Sequence, residues 1–399
     1  MMKDKTIVLG VTGSIAAYKI AGLASALVKE GCEVHVIMTH NATHFINPIT
    51  FETLTGNKCL VDTFDRNFEF HVAHVSLAKK ADVILVAPAT ANIIGKMACG
   101  IADDMLSTVI LAAQCPVIVS PAMNTNMYRN SIVQENLQKL AAHGMEIIPP
   151  TVGRLACADV GEGKMPDESV LMAYLRKAVA YEKDMKGMRV LVTAGPTQEP
   201  IDPVRFISNH STGKMGFAVA RAAMERGAQV TLICGKTSAE PPLFVETVNV
   251  TTAAQMLDAV KEHFPQCDIL VKSAAVADFT PAEYHDEKVK KKEGAMSLEL
   301  KRTADILRQV ASMKKPSQLV CGFSMETENL LENSKKKLVE KNLDLIVANN
   351  LKDKGAGFGV DTNLVTLISM DEALQLPLLS KEEVAHQLLN KLLSLRSDL

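Results

Sequence analysis

The residues best suited to chemistry lie in one short stretch near the middle of the chain. Residues 205–217 read Arg-Phe-Ile-Ser-Asn-His-Ser-Thr-Gly-Lys-Met-Gly-Phe, between a strand-like run and a helix-like run over residues 217–226. At such a crossing in a parallel α/β sheet, backbone N–H groups and the positive end of the helix face an anion. The side chains that can add hydrogen bonds there are Ser208, Asn209, Ser211, Thr212 and Lys214. The stretch predicts a nucleotide or phosphate site.

This stretch is not a Walker A loop. That motif has a glycine five residues before its Gly-Lys pair and Ser or Thr after it. Ser208 and Met215 occupy those two positions here. The preceding connection contains Pro196, Pro200 and Pro203, which predict an extended chain.

A second candidate site follows the first strand-like run, residues 6–11. The glycine-containing turn after it departs from the dinucleotide fingerprint, because Thr12 replaces the middle glycine and the second strand, residues 33–38, ends in Thr39 rather than an acid. The pattern favours a site for a single phosphate, held by Ser14 and by the N-terminus of a helix predicted over residues 15–30. FMN suits such a site better than NAD. The alternative is a tight turn in which Ser14 only caps the helix.

Two more strand ends in the first half carry polar or sulfur-containing side chains. Thr90 follows the strand over residues 83–86, and Met123 and Asn124 follow the strand over residues 117–119. Met123 could pack on a flat ring and Asn124 could bind a carboxylate. For any single methionine, filling of the core is the default alternative.

His74 and Cys157 are the candidate proton-transfer groups. His74 begins a helix-like run, and Cys157 lies between glycines at 153 and 161, where its thiol could swing over a site and donate a proton. A single histidine is more often a structural hydrogen-bonding residue, and a single cysteine is more often inert packing.

The elements that must position these residues have an α/β pattern. The strands are near-continuous apolar runs, which is typical of parallel strands covered by helices on both faces. The two halves begin with the same order of elements, and residues 81–88 resemble residues 267–274. We predict two doubly wound, Rossmann-like domains with mostly parallel sheets, a flavodoxin-like half over residues 1–187 and a second over residues 188–399.

Composition agrees with two globular domains and excludes several classes. The 399 residues are 47% hydrophobic and 22% charged, enough for about two domains. The net charge of −2 gives no electrostatic case for nucleic acid or an anionic membrane. The eight cysteines include no Cys-x-x-Cys pair, so neither a disulfide framework nor a zinc site is favoured, and a reducing cytoplasm is expected.

Several motifs resemble those of a known family. Five segments of the first half resemble the homo-oligomeric flavin-containing cysteine decarboxylases: residues 13–19, 74, 87–91, 121–127 and 156–157. Five segments of the second half resemble phosphopantothenate–cysteine ligase: residues 194–197, 202–205, 207–211, 213–216 and 274–278. The whole chain therefore resembles the bacterial bifunctional coenzyme A biosynthesis family.

The resemblance implies two successive reactions. The second half would join 4′-phosphopantothenate to cysteine, with CTP as co-substrate, an acyl-cytidylate intermediate and Mg²⁺ or Mn²⁺. The first half would decarboxylate the product, phosphopantothenoylcysteine, to 4′-phosphopantetheine, with FMN oxidising the thiol to a thioaldehyde. The family also implies a cytoplasmic homo-oligomer, a dodecamer built from trimers of flavin halves and dimers of ligase halves.

In the first half, the resemblance gives roles to individual residues. His74 would be the base or orienting group of the oxidation, Asn124 would bind the substrate carboxylate, and Cys157 would supply the proton. The FMN contacts would be Gly13, Ser14, Thr39, Thr90, Ser107 and Met123.

In the second half, Asn209 would hold the acyl-cytidylate and Lys288 would act from a mobile flap. The CTP contacts would be Asp278, Lys288, Asp305, Ile306, Phe323, Lys337 and Lys341. The basic run over residues 287–292 could instead be a solvated loop, and the pair Lys337 and Lys341 an ordinary exposed helix surface. The family commonly has Asn-Pro before the Asp-Ile pair, whereas this chain has Thr-Ala.

Two other functions compete with the bifunctional enzyme. A flavin-binding regulatory protein would share the first-half fold, but it would need neither Cys157 nor a complete second half. A nicotinamide-dependent reductase with tandem Rossmann units disagrees with Thr12 and with the missing acidic residue after the second strand.

Overall fold

The computed structural model describes residues 2–64, 73–154, 160–290, 297–326, 330–350 and 360–397. It divides into two compact units, Met1–Glu182 and Lys183–Leu399. The second unit begins a few residues before the predicted boundary, because Met185 is buried in its core and Asp184 pairs with Arg226 at 2.5 Å.

The first unit is built on a five-stranded sheet. Its strands are β1 Thr6–Val11, β2 Glu33–Met38, β3 Val83–Ala89, β4 Val117–Pro121 and β5 Glu146–Ile147. They pair in the order β2-β1-β3-β4-β5, and every pair is parallel. A separate antiparallel hairpin joins β6 Thr151–Arg154 to β7 Val160–Lys164. All residues of β1, β3 and β4 are buried, which agrees with their continuous apolar sequences.

Helices cover both faces of this sheet. They are α1 Ile20–Lys29, α2 Pro48–Thr55, α3 Ala73–Lys80, α4 Ala91–Cys99, α5 Met105–Ala112, α6 Thr125–Arg129, α7 Ser131–Ala142 and α8 Glu168–Val179. Two short 3-10 helices, Ile15–Lys19 and His40–His44, follow β1 and β2. One hydrophobic cluster joins α1, α2 and α8 to the sheet, and a second joins α3, α4, α5 and α7 to its other face.

The second unit contains an eight-stranded sheet. Its strands are β8 Arg189–Ala194, β11 Gln229–Cys234, β12 Glu246–Asn249, β13 Ile269–Lys272, β16 Leu319–Glu326, β17 Leu345–Asn350, β19 Val365–Ile368 and β20 Ala373–Gln375. Their order is β12-β11-β8-β13-β16-β17-β19-β20. The pairs are parallel as far as β17, and the last two pairs are antiparallel.

Three small antiparallel pairs lie outside this sheet. They are β9 Gln198–Pro200 with β10 Phe206–Ser208, β14 Phe279–Pro281 with β15 Leu300–Arg302, and β18 Thr362–Asn363 with β21 Leu379–Ser380. The first pair corrects the predicted plain extended connection. The chain reverses there because the Asp202 carboxylate accepts hydrogen bonds from the N–H groups of Val204 and Arg205, both at 2.8 Å.

Helices also cover both faces of the larger sheet. They are α9 Lys214–Glu225, α10 Ala253–His263, α11 Ile306–Ala311, α12 Leu330–Glu340 and α13 Lys381–Ser397, with a 3-10 turn at Phe264–Gln266. Residues of α9 and α13 share one hydrophobic cluster, and residues of α10, α11 and α12 share the other. The α/β class and the mostly parallel sheets are as predicted. No helix in the described segments is long and apolar enough to cross a membrane.

The resemblance between residues 81–88 and 267–274 has a structural counterpart. In each unit the corresponding strand, β3 or β13, pairs with the first strand of that unit. Asp82 accepts a hydrogen bond from the N–H of Thr6 at 2.8 Å, and Asp268 accepts one from the N–H of Arg189 at 2.8 Å. An aspartate at the corresponding position thus holds the start of the first strand in both units.

Candidate active sites

In the first unit, Thr12 joins the carboxyl ends of β1 and β3. Its hydroxyl donates to the carbonyl oxygen of Pro88 at 2.6 Å and accepts from the N–H of Thr90 at 3.1 Å. The sequence interpretation treated Thr12 only as a missing glycine. Its buried hydroxyl instead brings the turn at Gly13 and Ser14 beside Thr90, although these residues are far apart in sequence.

The predicted FMN residues Gly13, Ser14, Thr39 and Thr90 lie at this edge of the sheet. Ser14 and Thr90 are helix N-caps, accepting backbone N–H groups two and three residues ahead at 3.4 Å in both cases. A Cβ atom on Gly13 would lie 2.6 Å from the Cβ of Asn41, in the 3-10 helix that follows β2, so the close approach there requires glycine. Thr39 donates its N–H to the carbonyl oxygen of Val11 at 3.0 Å, which holds the end of β2 against the end of β1.

Two buried hydroxyls at these strand ends have no hydrogen-bond partner. They are Thr39 Oγ1, at the end of β2, and Ser120 Oγ, near the end of β4. A buried unsatisfied polar group costs about 1–3 kcal/mol, so a bound polar group would stabilise both. The residues therefore fit a flavin phosphate and ring at this edge. The sequence did not identify Ser120 as a site residue, because a single serine at a strand end belongs to no motif.

Ser107 is buried, and its hydroxyl is engaged within the protein. It forms a capping box with Asp104, donating to Oδ1 at 2.7 Å, while its N–H bonds the same oxygen at 2.8 Å. Burial opposes ionisation of Asp104, but the Lys96 ammonium and the Ser107 donors outweigh it and hold the carboxyl pKa below its ordinary value. Contact between Ser107 and FMN remains a prediction.

The turn that contains Met123 and Asn124 is held by the β6–β7 hairpin. Met123 donates its N–H to the carbonyl oxygen of Gly163 at 3.0 Å, and Asn124 caps α6 through Oδ1, which accepts from the N–H of Asn126 at 2.8 Å. Gly163 has φ +124°, and a Cβ there would lie 2.2 Å from the carbonyl oxygen of Met123. Cys157 falls between β6 and β7 in sequence and lies outside the described residues.

His74 is the second residue of α3 and is half-buried. Within the described ranges, no hydrogen bond joins it to Asn124 or to the predicted FMN residues. Its proposed role therefore rests on the family resemblance.

In the second unit, a cavity of about 530 Å³ opens at the N-terminus of α9. Its walls include the predicted donors of the loop before α9, from Asn209 to Lys214, together with Asp278 and Phe323. Gly213 is the N-cap of α9 and has φ +75°, a left-handed conformation that favours glycine. The predicted phosphate loop thus faces a cavity, although α9 begins at Lys214 rather than at residue 217.

The Asn209 side chain is tied to the neighbouring strand crossing. Its Nδ2 donates to the carbonyl oxygens of Ala275 and Val276, at 3.3 and 3.1 Å. This fixes the loop that follows β10 against the segment between β13 and β14. Asn209 is thereby placed in the cavity wall, opposite residues that come from later strands.

A smaller cavity of about 160 Å³ adjoins the first. The two cavities share Lys272, Val276, Asp278 and Phe323 in their walls. The smaller one contains all the predicted nucleotide residues except Lys288: Asp278, Asp305, Ile306, Phe323, Lys337 and Lys341. Lys337 and Lys341 are half-buried and line this cavity, and their contact with CTP stays a prediction.

Comparisons with known proteins agree with the division into two units. A family model described as the DNA/pantothenate metabolism flavoprotein C-terminal domain matches residues 185–395, and one described as flavoprotein matches residues 1–180. The coenzyme A biosynthesis bifunctional protein CoaBC of Bacillus subtilis (strain 168) is 46% identical over 399 residues, covering 99% of this chain and 98% of that protein. The chain belongs to the bifunctional coenzyme A biosynthesis family.

Other members of this family are similar over the same length. The CoaBC protein of Escherichia coli (strain K12) is 41% identical over 396 residues, 98% of each chain. The crystal structure of the C-terminal domain of a CoaBC protein is 44% identical, covers 54% of this chain and 98% of that one, and has a TM-score of 0.47. Family membership confirms the predicted bifunctional enzyme with a flavoprotein half.

The segment in which this family member departs from the common motif is firmly held. Thr303 donates its hydroxyl to the carbonyl oxygen of Ala277 at 2.6 Å and its N–H to the carbonyl oxygen of Asp278 at 3.0 Å. Asp305 caps α11 and pairs with Lys341 at 2.9 Å. Burial opposes ionisation of Asp305, but Lys341 outweighs it and holds the carboxyl pKa below its ordinary value.

Lys272 is a cavity residue that the sequence interpretation missed. It ends β13, and its Nζ donates to the carbonyl oxygen of Ala274 at 3.1 Å. Burial, followed by repulsion from Lys341, lowers the pKa of Lys272 to about 8, against the attraction of Asp305 and Asp278. As one lysine in an apolar strand, it carried no motif that could have identified it.

Lys288 is exposed and lines neither cavity. Its neighbour Val289 is nevertheless anchored, since its N–H donates to Asp202 at 3.2 Å and its carbonyl oxygen accepts from Arg205 at 2.7 Å. Residues 291 and 292 of the predicted basic run lie outside the described residues. Among the residues that the structure describes, no group of three or more His, Cys, Asp or Glu side chains could hold a metal ion.

Proposed function

We propose that the second unit ligates 4′-phosphopantothenate to cysteine with CTP, and that the first unit decarboxylates phosphopantothenoylcysteine with FMN. One observation carries the ligase assignment. Six residues predicted to bind CTP, between Asp278 and Lys341, line one cavity that adjoins the cavity at the N-terminus of α9. Such convergence from separate strand crossings is what a nucleotide site in a parallel sheet requires.

In the proposed ligase site, the nucleoside of CTP occupies the smaller cavity. Asp278 and Asp305 supply acceptors for its hydroxyl and amino groups, Phe323 borders its ring, and Lys337 and Lys341 offset the charge of its phosphates. Asn209 orients the acyl-cytidylate from the larger cavity, and Lys288 acts from the flap. The described residues provide no protein-ligated metal site, so Mg²⁺ or Mn²⁺ would enter with the triphosphate.

In the proposed decarboxylase site, FMN lies at the carboxyl ends of β1 to β4. Gly13, Ser14, Thr39 and Thr90 hold it, with Ser107 and Met123 as further contacts, and the partnerless Ser120 hydroxyl supplies one more polar contact. FMN, when bound, supplies the redox chemistry that removal of an unactivated carboxylate requires. Asn124 binds the substrate carboxylate, His74 orients the reacting thiol, and Cys157 donates a proton to the product.

We also propose a cytoplasmic homo-oligomer, with a dodecamer as the family resemblance implies. Five of the exposed apolar side chains lie on the hairpins β9–β10 and β14–β15 and their loops: Val204, Phe206, Phe279, Tyr284 and Leu300. Strands β9 and β14 are in contact, and exposed apolar side chains on neighbouring elements are a feature of protein–protein contacts. Contact between ligase halves would cover these side chains.

The decisive experiment supplies the purified protein with 4′-phosphopantothenate, cysteine, CTP and Mg²⁺. We expect CTP-dependent release of pyrophosphate and the mass of 4′-phosphopantetheine among the products. We also expect a yellow protein with the absorption spectrum of FMN. A yellow protein that released no pyrophosphate would contradict the ligase assignment and favour the flavin-binding regulatory alternative.

A further inference from the structure

Lys272 lies at the junction of the two cavities of the second unit. It is the last residue of β13 and belongs to the walls of both cavities. The other residues that the two walls share are Val276, Asp278 and Phe323. Of these four residues, Lys272 alone carries a positive charge.

A short segment after β13 holds the side chains of both Lys272 and Asn209. The Nζ of Lys272 donates to the carbonyl oxygen of Ala274 at 3.1 Å. The Nδ2 of Asn209 donates to the carbonyl oxygens of the next two residues, Ala275 and Val276, at 3.3 and 3.1 Å. The ammonium group is therefore held on the same segment as the amide that the proposed function assigns to the acyl-cytidylate.

The interior of the unit fixes this segment. Ser273 donates its hydroxyl to the carbonyl oxygen of Thr193 at 2.8 Å. The N–H groups of Ala274 and Ala277 donate to the hydroxyls of Thr193 and Thr197, at 3.2 and 3.0 Å. Because both threonines are fully buried, the backbone that carries the Lys272 contact has a defined position.

Within the described part of the chain, no carboxylate forms an ion pair with Lys272. Asp305 pairs with Lys341 at 2.9 Å instead, and Asp278 attracts the Lys272 ammonium from a longer distance. The ammonium form still prevails at neutral pH, since burial lowers the pKa of Lys272 only to about 8. A half-buried cation of this kind would be stabilised by an anionic ligand at the junction.

Two other lysines of the larger cavity have partners of their own. Lys214 pairs with Asp361 at 2.7 Å, and Lys381 donates to the carbonyl oxygen of Val360 at 2.5 Å. Neither of these lysines lines the smaller cavity. Lys272 differs from them because it faces both cavities.

The ligation brings a carboxylate to this junction. With the nucleoside in the smaller cavity and the acyl group in the larger one, the bond that joins them lies where the cavities meet. The cysteine nitrogen bonds to the acyl carbon there and loses its protons to water, while the bond to the cytidylate oxygen breaks and CMP leaves with the electron pair. The cysteine carboxylate is attached to the carbon beside that nitrogen, so it must lie within a few ångströms of the reacting carbon.

We propose that Lys272 binds the α-carboxylate of the incoming cysteine and thereby selects an amino acid as the nucleophile. The inference rests on the proposed ligase function and identifies how that site receives its third substrate. The same ammonium group would also favour the reactive form of cysteine, because a nearby positive charge disfavours the protonated amino group.

The test compares cysteine with cysteamine, which has the same amine and thiol but no carboxylate. In Lys272→Met, the KM for cysteine should rise roughly 10- to 100-fold, as expected for the loss of one charge-assisted contact. Cysteamine should react with the variant and with the wild-type protein at equal rates. The KM values for CTP and for 4′-phosphopantothenate should be unchanged. Steady-state pyrophosphate release and the product masses measure these quantities.

Lys315→Met is the matched control. The Nζ of Lys315 also donates to a backbone carbonyl oxygen, that of Pro265 at 2.7 Å, but Lys315 lines neither cavity. This variant should keep the wild-type preference for cysteine, and Lys272→Arg, which keeps the charge, should retain most of it. If Lys272→Met does not fold, Lys272→Gln takes its place and should lose the preference.

An unchanged preference for cysteine over cysteamine in a folded Lys272→Met protein would overturn the proposal. Equal losses with the two nucleophiles would also overturn it, since they would indicate a structural role, as would a rise in the KM for CTP alone, which would indicate a nucleotide contact.

Failure of the proposed function gives a different result, because the wild-type protein would then release no pyrophosphate with either nucleophile. In that event, calorimetric titration of the full chain with L-cysteine decides. Weaker binding to Lys272→Met than to the wild-type protein supports the carboxylate contact, and equal or absent binding overturns it.

Discussion

Arg205 donates from Nη2 to the carbonyl oxygen of Val289 at 2.7 Å, although the two residues are 84 positions apart in sequence. Asp202, whose side chain is fully buried, pairs with the same guanidinium at 2.5 Å and accepts the N–H of Val289 at 3.2 Å. Burial opposes ionisation of Asp202, but Arg205 and the backbone donors hold its carboxyl pKa well below its usual range. The turn between β9 and β10 thereby fixes the residue next to Lys288.

We predict that Arg205→Lys lowers the ligation rate at least about tenfold, because a lysine ammonium cannot replace a guanidinium that donates to Asp202 from two nitrogens. Decarboxylation of supplied phosphopantothenoylcysteine should be unchanged. The measurement is pyrophosphate release, compared with Lys288→Gln, which should lose ligation while still binding CTP. Arg221→Lys, at an exposed ion pair of α9, is the control. Ligation at the wild-type rate in Arg205→Lys would show that the contacts of Arg205 do not position Lys288.

Asn209→Asp should abolish ligation and leave decarboxylation intact. The substitution places carboxylate oxygens opposite the carbonyl oxygens of Ala275 and Val276, which now accept from the Asn209 amide. Repulsion among these acceptors should displace the loop from the cavity wall. Both activities are followed by mass spectrometry of the same preparation. Loss of both activities with the fold preserved would argue against two separate sites.

Lys272→Met should stabilise the second unit at neutral pH. The folded-state pKa of about 8 lies below the ordinary lysine value of 10.5, so between these values the unfolded chain binds more protons. The native state of the wild-type protein therefore gains stability as pH rises from about 8 to 10.5, whereas Lys272→Met lacks this gain. Thermal unfolding should show a higher Tm for the variant at pH 7, by roughly 2–4 °C per kcal/mol, and a smaller difference at pH 10.

Lys301→Met provides the comparison for Lys272→Met, because Lys301 is an exposed lysine of β15. Its Tm should follow the wild-type value at both pH values. A Lys272→Met difference that did not shrink with rising pH would show that packing, rather than charge burial, determines it.

Thr12→Val should weaken FMN binding and destabilise the first unit by about 1–3 kcal/mol, because it leaves the Pro88 carbonyl oxygen and the Thr90 N–H without their partner. The visible absorbance of the purified protein and its thermal unfolding measure the two effects. Thr53→Val removes a hydroxyl bond on the exposed surface of α2 and should change neither. Full flavin content in Thr12→Val would show that the two turns hold their positions without this hydroxyl.

The sequence predicted the parts of the sites that have a local signature. The glycine-containing turn before α9 and the strand ends at Thr90 and Asn124 have characteristic neighbours, and the family motifs predicted nucleotide residues that line one cavity. Lys272 and Ser120 could not be found in this way, because each is a single residue that comes to the edge of the sheet only through the order of the strands.

The β9–β10 hairpin was missed for a related reason. Its prolines correctly indicate extended backbone, but the reversal depends on one buried aspartate that accepts several donors. The side-chain contacts of Asp202 extend to Val289, and a local pattern contains no information about such a distant partner.

Among the residues that the structure describes, each hydrophobic cluster consists of residues from one unit alone. A gene interrupted between the codons of Glu182 and Lys183 would therefore encode two products that each retain a full interior. Evolution can accordingly fuse, separate or exchange the halves of this enzyme without redesigning either one.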